Sequence, residues 1–176
     1  MIQEKMKAAL MGQLKHEMDS SYLYLSMASW FSYSNYDGMC HWMRCQASEE
    51  WDHAMKIFDH MIDRDCRVML PQIGPVKNDW ESSLHIWEEA YIHEQKITAN
   101  IHSVMDVAMA VKDYSVKPML LWFLEEQIEE EKKALKILDH VRTIKGDPNT
   151  MMFLDKELKH RAIGHVYYKD RSEQND

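Results

Sequence analysis

Along the first thirty residues, apolar side chains recur at steps of three and four. One such line reads Leu10, Leu14, Glu17, Ser21, Tyr24, Ala28, Phe31. That spacing puts them on one face of an α-helix. The period returns in three further runs: Met39 to Asp65, Ser83 to Lys112, and Pro118 to Lys145. Their inward lines read Met39, Met43, Gln46, Glu50, His53, Ile57, Met61; then Leu84, Trp87, Tyr91, Glu94, Thr98, Ile101, Met105; then Leu120, Phe123, Gln127, Glu130, Ala134, Ile137, Val141. Four helices of roughly 30 residues, each about 45 Å long, are expected. The breaks are short where the chain reads "NYDG" (Asn35 to Gly38) and "KDYSVKP" (Lys112 to Pro118), so helices one and two, and three and four, form antiparallel hairpins. The break "CRVMLPQIGPVKNDWES" (Cys66 to Ser82) is long enough to run the length of a bundle. "GDPN" (Gly146 to Asn149) closes the fourth helix, and a short fifth helix is expected from about Thr150 to Ala162. The class is therefore all-α: a four-helix bundle with one long crossover and a short C-terminal helix. Residues 1–165 are expected to form one domain, followed by a polar tail at 166–176.

Each apolar line is broken near its middle by a carboxylate. The breaks repeat: Glu17 to Glu50 is a step of 33 residues, and so is Glu94 to Gln127. A further candidate ligand stands three residues beyond each second position, His53 in one half and Glu130 in the other, and His16 and His93 precede the two leading glutamates. Folding each hairpin at its turn brings these groups to one level. Four carboxylates in an apolar seam repel unless neutralised. Protonation, with raised pKa values, is one solution. A pair of divalent cations is the better one. A set rich in oxygen with one imidazole favours iron or manganese over structural zinc.

Composition narrows the setting. A net charge of −8 makes nucleic acid an unsuitable partner and suits cations. Three cysteines, Cys40, Cys45 and Cys66, form no C-x-x-C pair, which argues against a disulfide framework and fits a reducing cytoplasm. The densest apolar run, "MLLWFL" (Met119 to Leu124), is far too short to span a membrane, and the first residues carry no apolar run of signal-peptide length.

Four segments, "HWMRCQASEEWDHAMKIFDH", "YIHEQKIT", "FLEEQIEEEK" and "FLDKELK", occur in an order and at spacings that closely resemble the non-haem bacterial ferritins, from Glu4 to about Leu158. The resemblance implies the ferritin-like version of the bundle. It also implies a di-iron centre within one chain: one iron on Glu17, Glu50 and His53, a second on Glu50, Glu94 and Glu130, with Glu50 bridging and Gln127 beside the pair. A looser third iron position would use Glu49, Glu126, Glu129 and Glu130; the alternative for Glu49, Glu126 and Glu129 is a solvated acidic face. Tyr24 matches a family tyrosine near the irons, and Trp122 a family tryptophan, and both also suit core packing. Asp113 lies at an end of the bundle that the family turns toward its three-fold axes, where it would draw in cations; the alternative is a helix cap.

The function so implied is iron storage. Fe(II) is oxidised by dioxygen at the paired site, a ferroxidase reaction, and Fe(III) is kept as mineral inside a hollow shell of about 24 copies. Haem is not expected: the bacterioferritins use a methionine on the second helix, where this chain has Trp51, and a second Glu-x-x-His, where it has Gln127-x-x-Glu130. The rivals are a non-catalytic shell subunit, which would lack ligands of the pair, and another di-iron protein such as a rubrerythrin-like peroxidase, which would carry paired C-x-x-C motifs.

Overall fold

The computed structural model describes residues 2–162; the expected tail at 166–176 lies outside them. The described elements are all helical: α1 (Glu4–Tyr33), α2 (Asp37–Ile62), α3 (Ser83–Ala110), a 3-10 turn (Tyr114–Val116), α4 (Lys117–Ile144) and α5 (Pro148–Leu158). The four long helices, the long crossover and the short fifth helix are those expected from the periodicity.

The helix ends have local causes. Ser82 caps α3 by accepting from the His85 amide at 3.2 Å. Pro118 stands in the first turn of α4, where its missing N–H costs nothing. Asp147 accepts from the Thr150 amide at 2.8 Å, so α5 begins at Pro148, two residues earlier than expected, and it ends at Leu158, before the expected Ala162. Three helices stop in the same way. Asn35, Asp65 and Lys112 take positive φ (62°, 54° and 56°), and the amide of the next residue reaches back five places. The bonds are Tyr36 to Phe31 (2.9 Å), Cys66 to Met61 (3.0 Å) and Asp113 to Ala108 (2.9 Å). Asp113 is buried and gives no side-chain cap to the 3-10 turn that follows it, so the capping alternative does not hold there.

The chain divides into two compact units. One gathers Leu14–Asn78 and the residues from Asp155 on. In it α1 and α2 run antiparallel: Ser21 Oγ donates to the Ala47 carbonyl at 2.7 Å, while Glu17, one turn back, meets Glu50 and His53 further along α2. The crossover follows α1 in α1's own direction. Its Gly74 amide donates to Asp19 Oδ1 at 2.9 Å, and the Lys77 carbonyl accepts from Ser26 Oγ at 2.7 Å. These bonds explain why a long segment without helix stays ordered. The core here is Leu14, Tyr24, Met27, Phe31, Met43 and Met61, all fully buried. Side chains of this kind contribute about 1.5–3 kcal/mol each on burial.

The other unit gathers Asp79–Leu154 with the residues up to Gln13. Its α3 and α4 are antiparallel, tied by Gln127 to Glu94 and by Arg142 to Glu88 at 3.2 Å. Here the expected inward line of α3 needs correction. Leu84 is 36% exposed, and Tyr91, Thr98 and Met105 are only half-buried. The buried line runs through Ile86, Trp87, Ala90, Glu94, Ile97 and Ile101. The helix is apolar on two adjacent stripes that share Trp87, Glu94 and Ile101, and the one through Ile86, Ala90 and Ile97 turns inward.

Candidate metal centre

Glu17, Glu50 and His53 come together. One ligand atom from each lies within 4.8 Å of the others, and all three residues are buried. The arrangement follows from helix geometry. Glu50 and His53 are three apart on α2 and share a face, with His53 Nδ1 at 3.5 Å from Glu50 Oε2. Glu17 reaches them because the hairpin turn at Ser34–Tyr36 is nearly equidistant from Glu17 and Glu50 along the chain. Tyr24, two turns beyond Glu17 on α1, is fully buried.

Gln46, one turn before Glu50 on the same line, fixes the carboxylate. Its Nε2 donates to Glu50 Oε1 at 2.9 Å. Burial is the largest influence on Glu50 and presses its pKa upward. The hydrogen bond and charge of His53, then hydrogen bonds with Gln46 and Glu17, outweigh it, so the carboxyl stays below its ordinary value. Two carboxylates and an imidazole with atoms this close fit a divalent cation of the iron or manganese type.

The second group belongs to the other unit. Glu94, Gln127 and Glu130 are all buried. Gln127 Nε2 lies 3.3 Å from Glu94 Oε2, 3.3 Å from the Glu94 carbonyl and 3.4 Å from Thr98 Oγ1. Glu130 Oε1 accepts from Lys133 Nζ at 2.9 Å. Thr98 Oγ1 donates to Glu131 Oε1 at 2.6 Å, a contact that the sequence reading missed.

The remaining acids are placed differently. Glu49 is half-buried and paired with Arg161; Glu126 is half-buried; the side chain of Glu129 is 68% exposed, with Lys133 Nζ at 3.9 Å. Trp122 is half-buried, edge-on to Phe123 with ring centroids 5.0 Å apart. Gln46, Lys133 and Arg161 are the polar partners that sequence reasoning did not single out for these roles. Only the first two carried a signal, as neighbours one helical turn from Glu50 and Glu130.

Known proteins agree with this layout. Residues 7–144 match the model of the ferritin-like domain. The bacterial non-heme ferritin of Bacteroides fragilis is 35% identical over 92% of this chain and its own full length. The bacterial non-heme ferritin of Campylobacter jejuni is 32% identical over 93% of this chain and 98% of its own. Among solved structures, an Archaeoglobus fulgidus ferritin engineered into a closed form superposes with a TM-score of 0.91 at 42% identity, over 93% of this chain and all of that one. The open-pore ferritin of the same archaeon gives 0.90 at 42% identity, over 92% of this chain and all of that one. An all-α fold with buried glutamates and a histidine at this spacing defines a ferritin-like protein. The chain belongs to the ferritin family.

Proposed function

We propose that this chain is the subunit of an iron-storing, non-haem ferritin that oxidises Fe(II) with dioxygen and keeps Fe(III) as mineral. The observation that carries the reading is the buried group of Glu17, Glu50 and His53 in a chain of this family. Iron is substrate and cargo here. Two ferrous ions supply two electrons to one dioxygen, and two protons from water complete hydrogen peroxide.

The protein's own contribution is to bind and to neutralise. Glu17, Glu50 and His53 would hold one ferrous ion between them. By family pattern, Glu50, Glu94 and Glu130 would hold the second, with Gln127 beside them. Buried carboxylates favour the higher charge of the ferric product, which lowers the barrier to losing an electron. His53 supplies the single softer, neutral ligand and is oriented by Glu50. Residues 1–165 would act as one functional domain. A homo-oligomeric shell of 24 copies, located in the cytoplasm, would enclose the mineral. Among the described residues no helix is long and apolar enough to cross a membrane.

Two measurements test this. Native mass should be about 500 kDa for a shell of 24 chains of 21.0 kDa. Addition of Fe(II) under air should consume about one dioxygen for two irons in the first phase, followed as ferric absorbance and oxygen uptake. A chain that stays a dimer, or that leaves Fe(II) oxidation at the rate of buffer alone, contradicts the proposal.

A further inference from the structure

Beyond α5 the chain lies along the first half of α2 and delivers a guanidinium to it. Arg161 Nη2 donates to Gln46 Oε1 at 2.8 Å and pairs with Glu49 Oε2. Its Nη1 donates to the Trp42 carbonyl at 3.4 Å, and its guanidinium carbon sits 4.2 Å from the centre of the Trp42 ring. The Arg161 carbonyl accepts from His41 Nε2 at 2.8 Å. The guanidinium is therefore held on several sides, and the Arg161 side chain is only 13% exposed. Charge-assisted pairing of this kind, in a site short of water, is far stronger than a surface ion pair.

The same network runs on to the metal centre. Gln46 accepts from Arg161 through Oε1 and donates to Glu50 through Nε2 at 2.9 Å. Arginine has only donors and a carboxylate only acceptors, so the amide can lie only one way round. Arg161 thus sets Gln46, and Gln46 holds one oxygen of Glu50.

We propose that Arg161 is a resident cation: it occupies the Glu49 carboxylate in place of a further metal ion and, through Gln46, positions Glu50. This deepens the proposed ferroxidase reading and rests on it. The four acids that the resemblance assigns to a third iron position do not have equal freedom. Glu129 and Glu130 meet Lys133, whose side chain is 41% exposed on a flexible stem and can swing away when a metal arrives. Glu49 meets a planar fork fixed by aromatic stacking and three acceptors. Replacing that fork by a metal ion would leave a buried guanidinium facing Gln46 without its counter-charge, which is costly. Cation occupancy at Glu49 is therefore already satisfied by the chain itself.

The test counts Zn(II), a redox-inert probe, bound to the assembled protein by calorimetry and equilibrium dialysis. The parent is expected to bind about two per chain, and Arg161→Gln about three, the extra one disappearing when Glu49→Gln is added. An unchanged count in Arg161→Gln overturns the proposal. So does a third ion in the parent that Glu49→Gln removes. The parent's own count separates the two ideas: fewer than two ions, or two that survive His53→Ala, contradicts the paired site, whereas the difference between Arg161→Gln and parent reads Arg161 alone. Positioning has its own signature. With Co(II) as probe, the visible spectrum of the ion at Glu50 and His53 should shift in Arg161→Gln and return toward the parent in Arg161→Lys; an identical spectrum in all three overturns the positioning role.

Discussion

Gly38 and Asp155 touch backbone to backbone: a β-carbon built on Gly38 would stand 1.6 Å from the Asp155 carbonyl oxygen. The Asp155 side chain completes the contact, with its Oδ1 accepting from the Met39 amide at 2.8 Å. Gly38 is thus helical, in the first turn of α2, and its value lies in the absence of a side chain, not in turn-forming freedom. α5 docks on that bare patch, and Lys159 adds an ion pair to Asp37 at 3.2 Å. A Gly38→Ala substitution adds one methyl where backbone already stands. The helix propensity of alanine favours the change by about 1 kcal/mol, but overpacking against rigid backbone costs about 1–3 kcal/mol or more. Net destabilisation is expected, with faster proteolytic cleavage around α5, read by denaturant unfolding and limited proteolysis. Asp155→Asn should cost less, because the amide oxygen still accepts from Met39.

His53→Ala should abolish rapid Fe(II) oxidation while circular dichroism and native mass stay unchanged. The loss removes the one imidazole from a group whose other members are carboxylates. Gln46→Ala is the finer test. It leaves every proposed ligand in place and removes the hydrogen bond to Glu50, together with the amide oxygen that accepts from Arg161, so metal affinity should fall by about 10–100-fold without loss of sites. Oxidation at the parental rate in His53→Ala would show that the pair is wrongly assigned.

Much of this was legible in advance, and the parts that were not share a cause. Glu17, Glu50 and His53 announced themselves because they interrupt apolar lines on helices joined by short turns, where sequence distance translates into level. The inward face of α3 differs from the expected one because its two apolar stripes share Trp87, Glu94 and Ile101, and Leu84 and Ile86 are equally apolar in sequence. Gly38 read as a turn residue because a glycine needed for close approach looks the same in sequence as one needed for positive φ. Arg161 gave no signal at all. It lies 112 residues from Glu49, and its partner was chosen by how the end of α5 folds back. Local periodicity encodes which face is buried, but not which distant side chain arrives to neutralise it.

The thiols should be poor nucleophiles. Burial raises the pKa of Cys40, against the opposing pull of Arg44, and burial also raises Cys45, against Arg161. A raised pKa lowers the thiolate fraction at neutral pH, and thiolate is the reactive form. Alkylation by iodoacetamide should therefore climb with pH and level off only above the ordinary range of a free cysteine thiol. An inflection below that, or a rate at pH 7 exceeding that of a cysteine peptide, would contradict the burial argument. No stability window follows, since both thiols stay neutral in the folded and unfolded chain across neutral pH.

Lys112 is the weakest of the three helix stops, and it can be improved. Asn35, Asp65 and Lys112 all occupy the left-handed region, but only asparagine and aspartate tolerate it through local side-chain hydrogen bonding. Lysine has no such compensation, and its β-carbon crowds the following carbonyl at a cost of about 1–2 kcal/mol. Glycine removes that crowding but gives the unfolded chain more freedom, worth about 0.5–1 kcal/mol in the opposite direction. The steric gain wins. Lys112 is exposed, so little packing is lost with its side chain. The Asp113 amide keeps its 2.9 Å bond to Ala108, because the motif needs only the backbone. Lys112→Gly should therefore raise stability by about 0.5–1 kcal/mol, seen as a later midpoint in guanidinium unfolding with an unchanged slope. The same substitution moved one residue back, Val111→Gly, places glycine at φ −91°, where valine is unstrained, and should destabilise. If both variants shift the midpoint in the same direction, the left-handed strain at Lys112 is not what limits this end of α3.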